Sequence, residues 1–479
     1  MKERLLSEEL KALGYSTHIV GKWHLGYYKK EYTPTYRGFD SHYGFWNGYQ
    51  DYYSHTSQES VSPKDQLNPA YGLNLLFPKS ILQKGIKSNL VEYFIYKMWP
   101  NTRIDPFVGL DMRRNLEPDF ESTGKYSTDC YTDEAVSIIR NHGSTCNGDC
   151  KKPLFLYVAY SAPHSGNFDD PLQAPADVIS KFDYIEDEDR RKYAAMVWKL
   201  DESVGKIVAA LDGSSMLQNS IIVFLSDNGA QTYGIHYNRG SNFPFKGVSA
   251  GRESNYVDRL PLDGVDVGEE IFEGRSWQIS PPPHTYESRK EVLINIDDQI
   301  KYAAIRIGDY KLIMGTVFFG LQDHWVGESG LPNPSIPYYN TTIVQRSRAG
   351  RALRGRNGRS LSETDMVALR YSARIDCDDF WPPNGTNYGR NFPPCIALLK
   401  PCLFDVAHDP CEKRNLYRQL PDVANRLKRR LEELRATSVP PNNKLSDSRA
   451  DPDLWNGTWT NWMDYPKPAN YLIQILSKG

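Results

Sequence analysis

The sequence predicts an α/β protein, a sheet sandwiched by helices over residues 1–270, followed by a smaller α+β domain over 290–479. Three observations predict it. First, residues 154–160 (Leu-Phe-Leu-Tyr-Val-Ala-Tyr) and 221–225 (Ile-Ile-Val-Phe-Leu) are continuously apolar rather than alternating. That pattern marks parallel strands covered on both faces. Second, Tyr193, Met196, Val197, Leu200, Val204, Ile207, Val208 and Leu211 recur at spacings of three and four, and Gly213 follows. This is an amphipathic helix with a glycine stop, and strand-helix-strand implies a sheet packed between helices. Third, from Glu291 onward short strands succeed one another with turn-length gaps, the pattern of an antiparallel unit.

The elements follow in order. Leu5, Leu6, Leu10 and Leu13 form the apolar stripe of a first helix ending at Gly14. Ser16-Thr17-His18-Ile19-Val20 reads as a strand and runs into Gly21-Lys22-Trp23-His24-Leu25-Gly26. Lys22 and His24 lie two apart, so in extended backbone they point the same way. A fixed cation beside an imidazole suits an anionic ligand, although the hexapeptide alone also fits a surface lysine and a packed histidine. In the second region, Val292-Leu293-Ile294-Asn295-Ile296, Tyr302-Ala303-Ala304-Ile305-Arg306 and Tyr310-Lys311-Leu312-Ile313 read as strands. A last helix starts at Pro421 with Val423, Leu427, Leu431 and Leu434 on one face. Residues 346–359 hold six arginines and read as a solvated loop, with an accessory contact to a polyanionic glycan as the other reading. The Pro- and Trp-rich tail after Ser438 is expected to wrap the surface.

Composition excludes some classes. With 40% hydrophobic and 24% charged residues the chain is an ordinary globular protein. A net charge of −2 gives no field for nucleic acid. No apolar run reaches membrane-spanning length, and the first residues do not read as a signal peptide. An amphipathic helix feeding an inner strand so early suggests that residues precede Met1. Seven cysteines cluster in polar loops, and Cys402 with Cys411, and Cys146 with Cys150, look like small disulfide loops. Sequons at Asn340, Asn384 and Asn456 agree with a secretory route.

Several motifs recur in order: Leu13 to Gly26, then Pro34-Thr35-Tyr36-Arg37-Gly38-Phe39-Asp40, then Gly48-Tyr49-Gln50-Asp51-Tyr52-Tyr53-Ser54-His55. Together they closely resemble the sulfatases, within them the arylsulfatase B (N-acetylgalactosamine-4-sulfatase) type. The resemblance covers most of residues 5–247 and resumes near Leu260. It implies an alkaline-phosphatase-like sheet, a sulfated-glycan or aryl sulfate substrate, a lysosomal or secreted location and a calcium ion.

Ligands of open α/β sheets bind beyond the carboxyl ends of the strands. Lys22 and His24 follow the first strand, His164 the second (Ser161-Ala162-Pro163-His164-Ser165-Gly166), and Asp227-Asn228 the third. Oxygen donors suit calcium or magnesium. Alone, Asp-Asn-Gly is also a good turn; the resemblance makes Asp227 and Asn228 metal ligands. It makes Lys22, His24 and His164 the groups that hold sulfate oxygens and steer protons. Asp297-Asp298 and Asp169-Asp170 are read as non-ligands.

The sequence also departs from the family. The family needs a strand with two consecutive aspartates and a Cys- or Ser-x-Pro-Ser-Arg motif whose first residue becomes the formylglycine nucleophile. No cysteine here is followed by x-Pro-Ser-Arg; both elements would precede Met1. After Asn242-Phe243-Pro244-Phe245-Lys246-Gly247 roughly sixty residues, about one or two βα units, are missing against the family pattern. A second active-site lysine goes with them, and Lys246 is not expected to replace it. Two readings follow: an arylsulfatase-type hydrolase by lineage that is inactive as written, or a non-catalytic relic that at most binds sulfated glycans. A phosphoesterase of the same superfamily fits the Lys-Trp-His string less well.

Overall fold

A computed structural model describes residues 4–59, 107–146, 152–230, 238–241, 291–298, 301–316, 340–353, 362–372, 395–397, 399–439 and 447–466. Helix α1 (Leu6–Ala12) leads into β1 (Ser16–Lys22). Strand β1 lies between β2 (Ser41–Phe45) and an edge strand over Leu154–Ala159, parallel to both. Strands β3 (Thr56–Glu59) and β4 (Phe107–Leu110) pair as a separate antiparallel ribbon. The short β5 (Arg113–Arg114) and β6 (Glu117–Pro118) extend the main sheet antiparallel to β2. Helix α2 (Ser127–Cys146) precedes the edge strand, now β7, and helix α3 (Glu188–Gly213) follows it. The order β6-β5-β2-β1-β7 makes a mixed sheet.

Strand alternation explains the layering. Val20 turns into a cluster with Tyr43, Phe45, Met112 and Tyr131 of α2. Its neighbour Ile19 turns the other way, onto Trp23, Phe39 and Trp46. Both faces of β1 are therefore covered, as expected of an inner parallel strand. The strand ends approach closely only because they are glycine: a Cβ on Gly21, at φ +99°, would lie 2.0 Å from the Ala159 carbonyl oxygen. A substitution there would push β1 from β7 just where Lys22 emerges.

The apolar run 221–225 departs from expectation. It forms no strand, and its side chains are 50–73% exposed. Apolar patterning makes a strand only where a ladder partner exists. Among the described residues the sheet stops at β7.

The second region forms an antiparallel sheet, order β11-β10-β9-β8, from β8 (Glu291–Asp297), β9 (Tyr302–Ile307), β10 (Tyr310–Met314) and β11 (Cys402–Asp405). Leu427 and Leu431 of the helix over Pro421–Ala436 pack on Ile305, Leu312 and Leu403, which seals one face. The arginine-rich stretch is not all loop. Helix α4 (Thr341–Arg346) and helix α5 (Arg348–Leu353) occupy it, and α5 packs on α3 where Gly205 leaves room for Arg348. Residues 354–359 lie outside the described residues.

Cys402 bonds Cys395, with Cα atoms 5.6 Å apart, and not Cys411. The chain folds back through a turn before β11, which brings Cys395 to the strand's first residue; Cys411 is in a disulfide whose partner is not among the described residues. The side chains of Cys146 and Cys150 also lie outside them.

His42 supports β1 from below. Its Nε2–H donates to the Gly21 carbonyl at 3.2 Å, Nδ1 is buried without a partner, and burial pushes its pKa down to about 4. The unfolded imidazole binds its proton near pH 6.5, so between about pH 6.5 and 4 the unfolded chain holds more protons. Stability from this group is complete above pH 6.5 and falls by about 3 kcal/mol as pH drops through that window. Denaturant unfolding of wild type and His42→Asn across pH 4–7 should show a steeper acid loss in wild type; parallel curves would refute the assignment.

Candidate active site

Past β1 the backbone keeps its hold on the extension of β2: Trp23 N–H donates to Phe45 O at 2.9 Å and His24 N–H to Trp46 O at 3.1 Å. Trp23 is buried, and its indole N–H lies 3.0 Å from both the Gly26 and Tyr32 carbonyls, which closes the following loop. His24 adopts a left-handed φ of 53°, which turns its ring against Gly48. A Cβ on Gly48 would come within 2.8 Å of that ring, so glycine there sets the imidazole's place.

The tail clasps this loop. Asn461 Nδ2 donates to Tyr27 O at 2.6 Å, Met463 N–H to Tyr28 O at 3.0 Å, and Lys30 N–H to Asp464 at 2.7 Å. The Tyr27 ring stacks on Trp46 and meets Trp459 and Trp462 edge-on.

His164 follows β7 in a tight turn after the cis Ala162–Pro163 bond. Its Nδ1–H donates to the Ser165 carbonyl at 2.7 Å, so in the neutral ring Nε2 carries the lone pair. Tyr49 stacks on the ring at 6.2 Å, and the Tyr52 hydroxyl donates to the His164 carbonyl at 2.7 Å. Tyr49 and Tyr52 lie in a string that carried the family resemblance, but nothing in the sequence ties them to His164.

Electrostatics bring the dispersed residues together. Desolvation lowers the Lys22 pKa, against the pull of the Asp227 carboxylate. His24 is lowered by desolvation, then by Lys22 and His164, with Asp227 opposing. His164 is lowered by desolvation, with Lys22 acting the same way and Asp227 opposing. Both imidazoles are therefore biased toward the neutral form, which can accept a proton at the free ring nitrogen. Lys22, His24, His164 and Asp227 thus sense one another at the carboxyl edge of the sheet.

Asn228 sits beside Asp227 and takes its N–H to that carboxylate at 3.0 Å; its side-chain amide donates to Gly229 O at 2.8 Å. Both residues are exposed. Among the described residues no group of three or more His, Cys, Asp or Glu side chains could hold a metal. One carboxylate and one amide oxygen fall short of the six or more oxygens that calcium takes. These donors alone do not fit a complete calcium site. Lys246 lies outside the described residues.

The parallel strands β1 and β7 of this mixed sheet thus present a lysine and two imidazoles at their carboxyl ends, with a carboxylate acting on them, in an α/β protein. A sequence profile of the Sulfatase family matches residues 2–258, and the chain belongs to that family. Mouse Arylsulfatase J is 29% identical over 95% of this chain and 66% of its own length. Mouse N-acetylgalactosamine-6-sulfatase is 28% identical over 51% of this chain and 36% of its own length. The chain thus spans from about a third to two thirds of these relatives. The crystal structure of Ps i-CgsB aligns over 89% of this chain and 73% of its own, at 22% identity and a TM-score of 0.46. Among the described residues no helix is long and apolar enough to cross a membrane.

Proposed function

We propose that this chain is an arylsulfatase B-like sulfuric ester hydrolase by lineage, built to recognise a sulfated sugar or aryl sulfate, and that the 479-residue polypeptide binds the sulfate group without turning it over. The single observation that carries the reading is the placement of Lys22, His24 and His164 at and just past the carboxyl ends of the adjacent parallel strands β1 and β7, where the Asp227 charge acts on all three. Lys22 holds a sulfate oxygen as a fixed charge. His24 and His164 are the acid-base groups; His164, whose Nδ1–H is committed to the Ser165 carbonyl, donates to a sulfate oxygen only once Nε2 has taken up a proton, which a bound anion favours. Relatives named for N-acetylgalactosamine-6-sulfate chemistry support a sugar substrate. Residues 1–270 are the catalytic unit and 290–479 the smaller domain. Sequons at Asn340 and Asn456 fit a lysosomal or secreted glycoprotein, and Asn456 is exposed. A non-catalytic relic that binds sulfated glycans is the second reading.

Calorimetry with N-acetylgalactosamine sulfate and the unsulfated sugar tests the reading. The sulfated ligand alone should bind, and Lys22→Ala should weaken it about tenfold or more, the scale of a charge-assisted hydrogen bond. Equal binding of both sugars would end it.

Calcium is proposed to bind weakly, with Asp227 and Asn228 as two of its ligands. A calcium titration should give an affinity weaker than micromolar. Micromolar or tighter binding that Asp227→Ala abolishes would contradict this.

A further inference from the structure

Helix α3 carries two chemistries on one outward stripe. Trp198 is 44% exposed, and Gly205 follows about two turns later, roughly 10 Å along the axis on the same side. Trp198 is not an isolated ring. Phe182, in the segment before α3, meets it edge-on with centroids 6.0 Å apart, and Tyr184, 43% exposed, lies 6.2 Å from Phe182. Phe182 packs against the core cluster that holds Val178 and Met196. The indole is thus braced by a ring anchored in the fold, while much of its own surface faces water.

At Gly205 the stripe meets arginines. A Cβ on Gly205 would lie 2.9 Å from that of Arg348, so glycine is what lets α5 sit this close. Glu202, one turn after Trp198, has its carboxyl held low by its hydrogen bond from Lys199 first, with Arg348 also contributing. The Arg348 charge therefore acts back along the stripe toward Trp198. Arg351, one turn on in α5, shares a face with Arg348 and donates to the Arg346 carbonyl at 2.6 Å. All three arginines are exposed. Against them, this side of α3 sets Glu202, which Lys199 already pairs, and the exposed Asp201.

This chemistry specifies an occupant. Guanidinium forks grip the oxygens of a sulfate in pairs. An exposed indole takes a flat apolar face. A sulfated sugar chain offers both, anionic groups at intervals and the C–H faces of its rings. The net charge of −2 gives no general attraction for polyanions, so binding must come from a local surface. We propose that the Trp198 stripe of α3 and the arginines of α4 and α5 form a second glycan-binding surface, which holds a sulfated polysaccharide with a sugar ring on Trp198 and sulfates on Arg346, Arg348 and Arg351. The sulfated-sugar class is taken from the proposed function, but no residue of this surface belongs to the Lys22 site.

The test measures binding of a labelled chondroitin sulfate chain to the 479-residue protein carrying Lys22→Ala, so that the Lys22 site does not report. The polysaccharide should still bind, and more weakly as salt rises. Arg346→Gln with Arg351→Gln should weaken binding about tenfold or more and flatten its salt dependence. Both side chains are exposed, and an unchanged thermal midpoint checks that the fold is intact. Trp198→Ala should weaken binding about fivefold or more at every salt concentration, because ring stacking is not screened. Unsulfated chondroitin should bind about tenfold more weakly or not at all. A single N-acetylgalactosamine sulfate, measured with Lys22 intact, should be indifferent to the arginine pair; its failure to bind counts against the proposed function and not against this surface. No binding of chondroitin sulfate, binding that the arginine pair and Trp198→Ala leave unchanged, equal binding of the unsulfated chain, or equally tight binding of single-stranded RNA each overturns the proposal.

Discussion

The purified 479-residue chain should show no arylsulfatase activity above the buffer background on a chromogenic sulfate ester. Hydrolysis in the family that the motifs resemble is covalent, and a covalent route needs its nucleophile. No Cys-x-Pro-Ser-Arg string is in this sequence. Lys22 and the two imidazoles, once an anion has drawn a proton onto them, can position a sulfate, but positioning without attack leaves the ester intact. The same chain joined to a segment that carries the motif and the aspartate pair, with the stretch after Gly247 filled, should be active. His164→Ala should then remove most of that activity, on the order of 10²–10⁴-fold for a lost acid-base group. Turnover by the chain as given, abolished by His24→Ala, would show that the present residues are a sufficient site.

Arg113→Ala should cost about 3–5 kcal/mol of stability, the scale for leaving a buried carboxylate without its nearby countercharge. Arg113 is 1% exposed and lies over the Trp46 ring at 3.7 Å. Its guanidinium donates to the Leu116 carbonyl at 2.9 Å and to the Trp459 carbonyl in the tail. Asp111 beside it is fully buried and accepts from the Trp46 and Asn47 N–H groups and the Ser57 hydroxyl. Burial raises its pKa, and Arg113 opposes that shift. Removal of the arginine leaves Asp111 unmatched and frees the tail from β5. Arg114→Ala is the control: its pair with Glu134 is on the surface, with the arginine side chain 55% exposed, so it should cost about 1 kcal/mol or less. Urea unfolding of both variants decides. An Arg113→Ala chain within about 1 kcal/mol of wild type would refute the buried-countercharge account.

Local signals carried much of the fold. Strands β1 and β7, helix α3, the three strands from Glu291 and the helix at Pro421 are each written in one short window of burial pattern and stop residues. What escaped is non-local. The run 221–225 has strand-like side chains, but a ladder partner is a property of the sheet. Cys402 chose Cys395 over Cys411 because of where the chain turns, and spacing does not encode that. The clasp of Asn461 on Tyr27 joins residues 434 positions apart. In the candidate site, Lys22, His24, His164 and Asp227 stand out in the sequence because each follows or ends a strand-like run. The groups that hold them were not. Gly48 under His24 and Tyr49 against His164 act through contact, and His42 acts through the Gly21 carbonyl.

The central claim is that Lys22, His24, His164 and Asp227 form one anion-binding site. Histidine-selective NMR of the 479-residue chain, titrated with inorganic sulfate, tests it most directly. A bound anion favours the charged imidazole. The His24 and His164 signals should therefore move on one saturation curve, both titrate at higher pH when sulfate is present, and both lose the response in Lys22→Met. If only one histidine responds, or if Lys22→Met leaves both curves unchanged, the residues do not form one site.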